Sequence, residues 1–214
     1  MQEQPSYYPQ RSLLIGWTGG IGSGKSTLAQ LLVGLGYPVY DTDKEAKRIM
    51  VCDPAVRTGI ERLFGPDVYD GDTYLARKVA ERVFAKCDLL DKLNNIVHPA
   101  VLNDLKQWYR TQCERQTNCL CFVESALLYT GGLDRVCDCI VNVTAADEVR
   151  QERIMLRDRL TPEQAQARIK AQEGETRKAQ QADIILVNDG ITPHGQLIDQ
   201  MFAELEKRHY IKTT

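Results

Sequence analysis

The 214-residue sequence lacks a long apolar run and a strong charge of either sign. No stretch approaches the roughly 20 apolar residues of a membrane-spanning helix, which argues against a helical membrane protein. The formal net charge is −2, so no basic field marks the chain for nucleic acid or an anionic membrane. Residues 1–11 are polar and have no apolar signal-peptide region. We therefore expect a cytoplasmic protein, a monomer or weak homo-oligomer, with neither nucleic acid nor membrane as partner.

The seven cysteines include no C-x-x-C pair, which argues against a zinc site. Cys119 and Cys121, like Cys137 and Cys139, are two residues apart within apolar runs, so each pair faces one side of a strand. We expect buried, reduced thiols rather than metal ligands.

What the sequence does have is a glycine-rich run, Thr18–Thr27, directly after the apolar stretch 12–17. It fits the phosphate-binding pattern G-x-x-x-x-G-K-[ST]. Glycines let successive backbone N–H groups turn toward a phosphate, and the following helix adds its positive end. The lysine of the pattern reaches the β- and γ-phosphates, and its hydroxyl residue binds Mg²⁺. The run predicts an ATP and Mg²⁺ site whose candidate residues are Gly20, Gly22, Ser23, Gly24, Lys25, Ser26 and Thr27.

Strand-like and helical segments alternate along much of the chain, which predicts an α/β fold with a parallel sheet flanked by helices. Between Ala55 and Arg115 the strand signals vanish, and apolar residues recur at helical spacing, with an interruption or bend at His98-Pro99. A charged stretch from Asp147 to Gln181 reads as two helices that break near Thr161-Pro162. We predict a leader at 1–11, a nucleotide-binding core at 12–54, 117–146 and 182–214, a helical insertion at 55–116 and a lid at 147–181.

Carboxylates follow two of the predicted strands. Asp41 and Asp43 come after the second strand, and an extended segment would turn both the same way. A phosphotransferase needs one carboxylate to orient the acceptor hydroxyl and take its proton, and another near Mg²⁺. The alternative is that Asp43 only caps the next helix. Glu124 ends the next predicted strand and is either a residue near Mg²⁺ or a solvated strand end.

Arginines are concentrated in the predicted lid. Arg153 and Arg157 lie four residues apart on one helix face, with Arg150 about one turn earlier. Such guanidinium groups can clamp phosphates during transfer, whereas the alternative is an exposed charged helix paired with Glu152 and Asp158. His98 precedes a proline and has no nucleophile to serve, so its only functional role would be to line a substrate site.

The sequence resembles the dephospho-coenzyme A kinase family. The resemblance runs in the family's order from about residue 13 to residue 190, and the joined Thr-Gly-Gly-Ile-Gly and Asp-x-Asp motifs are more specific than the phosphate loop alone. The residues that carry it are Thr18–Thr27, Asp41-Thr42-Asp43, Phe64-Gly65, Asp70-Gly71, Val83-Phe84, His98-Pro99, Leu127-Leu128, Arg153, Arg157-Asp158, Gln172, Ala182-Asp183, Asn188 and Gly190.

This resemblance implies a P-loop kinase core, a helical CoA-binding insertion, a helical lid, and transfer of the ATP γ-phosphate to the ribose 3′-hydroxyl of dephospho-CoA. It implies that Asp43 is the base, Arg157 the lid arginine, and that Asn188 lies near the adenine. Lys25, Asp43 and Arg157 are then the catalytic candidates. Substrate candidates are Thr18, Asp43 and His98, and metal candidates are Ser26, Asp41 and Glu124.

Two features depart from the family's pattern. The family usually has Pro-Leu-Leu, then an aromatic or apolar residue, then Glu. This sequence has Ala126-Leu127-Leu128-Tyr129 followed by Thr130, so the proline and the glutamate are both replaced. The family's Asp-Gly, Leu, Arg pattern is also out of register here, so the pattern does not decide whether Arg77 takes the place of the usual arginine. The alternatives are another P-loop kinase acting on a nucleoside monophosphate, shikimate or gluconate, and a nucleotide-binding regulatory ATPase. A GTP-binding switch would need an N-K-x-D motif, which the sequence lacks.

Overall fold

The computed structural model describes residues 7–85 and 88–213. They fall into two compact units, one made of the chain up to Tyr40 together with the chain from Tyr109 onward, the other of Asp41–Trp108. The strands are β1 Tyr7–Pro9, β2 Leu13–Thr18, β3 Val39–Asp41, β4 Tyr69–Asp70, β5 Thr73–Tyr74, β6 Leu120–Glu124, β7 Cys139–Thr144, β8 Ile184–Val187 and β9 Ile211–Thr213. The helices are α1 Lys25–Gly34, α2 Thr42–Cys52, α3 Pro54–Phe64, α4 Ala76–Ala85, α5 Asp88–Arg115, α6 Asp147–Asp158, α7 Pro162–Ala171, α8 Glu173–Ala179 and α9 His194–Lys207.

The first unit is built on a five-stranded sheet of order β3-β6-β2-β7-β8. Strands β6, β2, β7 and β8 run parallel to their neighbours, as the alternating sequence pattern predicts. Every residue of β2 is buried, because helices cover both faces of such a sheet. In parallel sheets, ligands bind beyond the carboxyl ends of the strands. Here β2 ends at Thr18 and β6 at Glu124, which places the phosphate-binding loop beside Glu124.

Trp17 fixes the geometry at the end of β2. Its ring is fully buried and meets Phe122 of β6 edge to face, with 6.1 Å between centroids. Its indole N–H donates to the Lys25 carbonyl at 3.0 Å, so the one polar atom of the ring is satisfied inside the core. This bond ties the first residue of α1 to the strand that precedes the loop.

The chain ends of the first unit form a small sheet that the sequence did not predict. Strand β1, within the expected loose leader, pairs antiparallel with β9, which sequence patterns also missed. Both strands have three residues, too few for an alternating pattern to be recognised.

The second unit, Asp41–Trp108, contains α2, α3, the β4–β5 hairpin, α4 and most of α5. It begins before the predicted boundary at Ala55, since α2 belongs to it, and it ends at Trp108 rather than at residue 116. The hairpin departs from the expected all-helical character, because two-residue strands leave no sequence signal. Helix α5 is continuous through Pro99, so of the expected interruption or bend the interruption is wrong, and Val97, Val101 and Leu105 are the buried residues of the helix. Among residues 7–85 and 88–213, every helix is too short or too polar to span a bilayer.

Candidate active site

The loop between β2 and α1 has the backbone that its glycines predict. Gly22 and Gly24 have φ of 80° and 87°, in the left-handed region that favours glycine. A side chain at Gly22 would also meet the Arg150 backbone oxygen, 2.6 Å from the position of its Cβ. Helix α1 begins at Lys25, directly after this turn, so its first N–H groups have no partner within the helix. The loop and helix start together form the anion-binding arrangement that the motif predicts.

Lys25, Ser26 and Glu124 meet at the carboxyl end of β6. Lys25 Nζ and Ser26 Oγ each lie 2.5 Å from Glu124 Oε1. The Lys25 and Glu124 side chains are only 11% and 10% exposed, so each charge depends on the other for compensation. Of the two alternatives for Glu124, the solvated strand end is wrong, because the residue is buried and holds two residues of the phosphate-loop motif.

Three successive carbonyls of the loop are held by side chains from the lid and from the end of β8. Arg150 Nε donates to the Ile21 carbonyl at 2.9 Å. Arg153 Nη1 donates to the carbonyls of Gly22 and Ser23 at 3.2 and 3.3 Å. Asn188 Nδ2 also donates to the Ser23 carbonyl, at 2.9 Å. A peptide whose C=O is tied on one side presents its N–H on the other, so these contacts support the inward direction of the loop amides.

The three arginines of α6 therefore differ from one another. We predicted phosphate clamping for the arginine cluster, but Arg150 and Arg153 bind loop carbonyls. Arg157 donates to the neighbouring Asp158 through Nε and Nη2, at 2.8 and 3.0 Å, and its side chain is 61% exposed. Asp158 also accepts from Arg168, and the Arg157 hydrogen bond is the main cause of the lowered pKa of this carboxyl. The expected partner Asp158 is confirmed, and Arg157 is the exposed member of the group.

The helix cap that we considered for Asp43 is made by Asp41 instead. Asp41, the last residue of β3, is the N-cap of α2, and its Oδ1 accepts from the N–H groups of Asp43 and Lys44 at 3.0 Å each. Asp43 lies in the first turn of the helix and is exposed. The proposed cap role of Asp43 is therefore wrong, and so is the argument that an extended segment turns both carboxylates the same way. Asp43 keeps a carboxylate that no cap contact occupies.

The remaining candidates have varied surroundings. Thr18 is buried at the end of β2, and Thr27 is exposed on α1. Asn188 is 1% exposed, and its Oδ1 accepts from Arg153 Nη2 at 3.2 Å, so its amide is used at both ends by the loop and the lid. His98 lies within α5, half-buried, and burial lowers its pKa. Their roles toward a substrate stay predictions.

Arg150 and Gln172 hold the loop in a way that the sequence did not predict. Gln172 Oε1 accepts from the Ile21 N–H at 2.7 Å, while Arg150 takes the carbonyl of the same residue. Gln172 belonged to the family resemblance without an assigned role. The i, i+3 spacing of Arg150 and Arg153 was the only signal that both face the loop.

The donor set beside the loop suits a hard cation. Mg²⁺ prefers oxygen ligands and takes only one or two carboxylates from the protein, completing its shell with phosphate and water. Ser26 Oγ and Glu124 Oε1 are such oxygens, 2.5 Å apart. In the described part of the chain, no group of three histidine, cysteine or acidic side chains is arranged to hold a metal without a phosphate. The cysteines there are free; Cys119, Cys121 and Cys139 are buried as expected, whereas Cys52 is exposed.

Comparison with known proteins gives one family. A family model described as dephospho-CoA kinase matches residues 13–194. A dephospho-CoA kinase of Porphyromonas gingivalis is 38% identical over 195 residues, which cover 91% of this chain and 93% of that protein. The enzyme of the same name from Chlorobaculum tepidum is 36% identical, with 91% and 92% covered.

Solved structures give the same fold. A crystal structure of a Thermus thermophilus protein has a TM-score of 0.74 and 33% identity, covering 92% of this chain and 98% of that one. Dephospho-CoA kinase from Campylobacter jejuni gives 0.64 at 22% identity, covering 92% and 96%. Shikimate kinase from Acinetobacter baumannii gives 0.51 at 18% identity, covering 94% and 96%. The latter two likenesses establish the P-loop kinase fold alone.

Proposed function

The chain belongs to the dephospho-CoA kinase family, and from this premise we propose that it transfers the γ-phosphate of ATP to the ribose 3′-hydroxyl of dephospho-CoA, giving coenzyme A. This reaction is the last step of coenzyme A synthesis. Another small-molecule kinase is not favoured, since the family model and the relatives at 38% and 36% identity are dephospho-CoA kinases. A regulatory ATPase is not favoured by any observation.

The observation that carries the proposal is the convergence of Lys25 and Ser26 on Glu124 at the base of the phosphate loop. In the structure, Lys25 is held by a carboxylate of opposite charge, that of Glu124. When ATP binds, the phosphates compete for this ammonium group. Lys25 therefore exchanges one anionic partner for another and remains compensated throughout, which keeps a buried charge from being left alone.

Ser26 and Glu124 are the residues that would hold Mg²⁺, with Asp41 as the further carboxylate candidate. The ion supplies charge neutralisation at the β- and γ-phosphate oxygens. Glu124 would take this part with Lys25 on the phosphates. The Oδ1 of Asp41 accepts two backbone N–H groups of α2.

The acceptor side depends on Asp43 and Arg157. Asp43 orients the 3′-hydroxyl and takes its proton late in the transfer, a role supported by its exposed carboxylate just after the end of β3. Arg157 neutralises charge on the transferred group, which its exposed position on the lid allows. The unit Asp41–Trp108 binds the CoA moiety, and His98 and Thr18 contact the substrate. Asn188 lies near the adenine.

We also infer that the protein works in the cytoplasm as a monomer or weak homo-oligomer, without a nucleic-acid partner. The near-neutral net charge of −2 supports the last of these points.

An acceptor panel tests the proposed function. The purified protein is given ATP and Mg²⁺ with dephospho-CoA, AMP, shikimate or gluconate, and ADP release is followed by a coupled assay. We expect turnover with dephospho-CoA to exceed that with each other acceptor by at least about 10³-fold, because binding energy from a large acceptor is used to position its hydroxyl. Comparable turnover with AMP or shikimate would contradict the proposal. A Lys25→Ala protein in the same assay controls for contaminating kinases.

A further inference from the structure

Arg150 is a charged residue buried beside the phosphate loop. It lies in the first half of α6 and is only 5% exposed. Arginine is almost never buried to this extent unless its donors are used. Its surroundings therefore have to explain why a charge is kept there.

Two of the three guanidinium nitrogens have partners. Nε donates to the Ile21 carbonyl at 2.9 Å, and Nη1 donates to Asp147 Oδ1 at 2.9 Å. The Asp147 side chain is 62% exposed, so the carboxylate that compensates the guanidinium is in contact with solvent, whereas the guanidinium itself is buried. Nη2 is buried and has no hydrogen-bond partner among the described residues.

That third nitrogen lies against the loop backbone. A Cβ added at Gly20 would be 2.6 Å from Arg150 Nη2 and 3.0 Å from Cζ. The guanidinium therefore occupies the space that any side chain at residue 20 would need. Gly20 has no positive φ that would itself demand glycine, so the requirement there comes from Arg150.

Ile21 is held from both sides. Its carbonyl accepts from Arg150 on α6, and its N–H donates to Gln172, which lies between α7 and α8. The N–H and the C=O of one residue belong to the two peptide planes on either side of its Cα, so both planes next to Ile21 are held. The neighbouring amides, which face the phosphates in such a loop, are then ordered before the nucleotide arrives.

We propose that Arg150 is a positioning residue that fixes the phosphate loop in its nucleotide-binding conformation, by holding the Ile21 carbonyl and packing on Gly20. The proposal rests on the nucleotide-binding part of the proposed function. It does not place Arg150 on the substrate, because its guanidinium is committed to Ile21 and Asp147. Its effect falls on nucleotide affinity rather than on the chemical step, since an ordered loop favours the bound ground state and transition state alike.

The test compares Arg150→Met, which keeps length and loses all donors, with Arg150→Lys, which keeps the charge and one donor. ADP affinity is measured by calorimetry, and KM for ATP and kcat are measured separately. We expect Arg150→Met to weaken ADP binding and raise KM for ATP by about 10- to 100-fold, the usual range for a lost hydrogen bond to a charged donor. We expect kcat to change by less than about threefold and Arg150→Lys to recover part of the affinity.

A matched control is Arg177→Met, since Arg177 pairs with Glu173 on the surface of α8 at 2.6 Å and is 74% exposed. Its ADP affinity should equal that of the wild type. Unchanged ADP affinity in a folded Arg150→Met protein would overturn the proposal, and so would a loss confined to kcat. ADP binding measured by calorimetry does not depend on dephospho-CoA being the acceptor, so a failure of that measurement is distinct from a failure of the proposed function.

A double-mutant cycle tests the packing directly and guards against a misfolded single variant. Gly20→Ala should weaken ADP binding about tenfold or more in the wild-type background, because the new methyl group displaces the guanidinium. In an Arg150→Ala background, the same change should cost less than about threefold. Equal costs in the two backgrounds would contradict the contact between Arg150 and Gly20.

Discussion

At the scale of single residues, Glu124 explains how the nearly buried charge of Lys25 is tolerated. Its Oε1 accepts from both Lys25 and Ser26, and the pair is nearly inaccessible to solvent. Removal of one member of such a pair leaves the other charge uncompensated, which costs more than the pair contributes. Substitutions at Lys25 therefore affect stability as well as turnover.

Lys25→Ala should abolish turnover and also lower the free energy of unfolding. We expect a kcat loss of about 10²-fold or more, since charge-stabilising groups of this kind have effects of that size. Far-UV circular dichroism should show the native fold, while urea unfolding should show reduced stability. Addition of Glu124→Gln should restore part of the stability without turnover. A Lys25→Ala protein that kept more than about a tenth of kcat would contradict the assignment of the loop.

Asp41 and Asp43 can be separated because Asn is as good a helix cap as Asp. Asp43→Asn should lower kcat by about 10²- to 10⁴-fold, the range of a positioned acid–base group, with ATP affinity nearly unchanged. Asp41→Asn keeps the cap, so it should leave stability unchanged and raise the Mg²⁺ concentration needed for half-maximal rate.

The measurement is kcat with dephospho-CoA across a Mg²⁺ titration of both variants. If Asp43→Asn turned over normally while Asp41→Asn were inactive at every Mg²⁺ concentration, the two roles would be exchanged.

At the scale of elements, the lid helices combine a loop-holding part with an exposed part. Arg150 and Arg153 on α6 donate to loop carbonyls, whereas Arg157, later on the same helix, pairs with the carboxylate of its neighbour Asp158. The break between α6 and α7 is fixed by Thr161, whose hydroxyl and backbone N–H exchange hydrogen bonds with Gln164. Helix α6 is therefore bound to the loop through Arg150 and Arg153, while Arg157 near its other end is exposed.

Arg157→Ala should lower kcat more than it changes ATP affinity, because a lid arginine acts mainly once charge shifts between oxygens. We expect a loss of about 10²-fold or more in kcat, by analogy with other guanidinium groups that stabilise phosphoryl transfer. Steady-state kinetics and ADP calorimetry measure the two effects. A variant with normal kcat and only an altered Tm would show that Arg157 merely pairs with Asp158.

His98 should make the folding stability of the protein depend on pH. Burial lowers the pKa of His98 below its ordinary value of 6.5. As the pH falls through 6.5, the unfolded chain takes up a proton that the folded chain refuses, so folding stability is lost in the acid direction and is retained above 6.5. His98→Gln should therefore lose less stability than the wild type between pH 7.5 and pH 5.5 in urea unfolding. Identical losses in the two proteins would show that His98 titrates normally.

Long elements with a regular pattern could be predicted from the sequence, and short ones could not. The phosphate loop after an apolar stretch and the helix break near Thr161-Pro162 were predicted, and the structure contains each. The hairpin β4–β5 and the pairing of β1 with β9 depend on contacts between distant or very short segments, which leave no periodic signal. At the site, residue types were predictable from the motif, but the partners of Glu124 and Arg150 arise only when separate elements meet.

At the scale of the whole molecule, the family and the fold were both predictable. The match of the dephospho-CoA kinase model to residues 13–194 confirms the resemblance carried by the loop and the Asp-x-Asp motif. The replacements at Ala126 and Thr130 leave that membership intact. The pairing of β1 with β9 joins segments near the two ends of the sequence beside a buried Ile211, which gives residues 7–9 a place in the first unit.

The central claim is that this chain phosphorylates the ribose 3′-hydroxyl of dephospho-CoA, and acceptor analogues test it most directly. Purified protein with ATP and Mg²⁺ is given 2′-deoxy- or 3′-deoxy-dephospho-CoA at matched concentrations, and phosphorylated product is measured by mass spectrometry. The account predicts that the 2′-deoxy analogue is phosphorylated and that the 3′-deoxy analogue yields no product, because it lacks the attacking oxygen. Phosphorylation of the 3′-deoxy analogue at a rate comparable to that of dephospho-CoA would contradict the account.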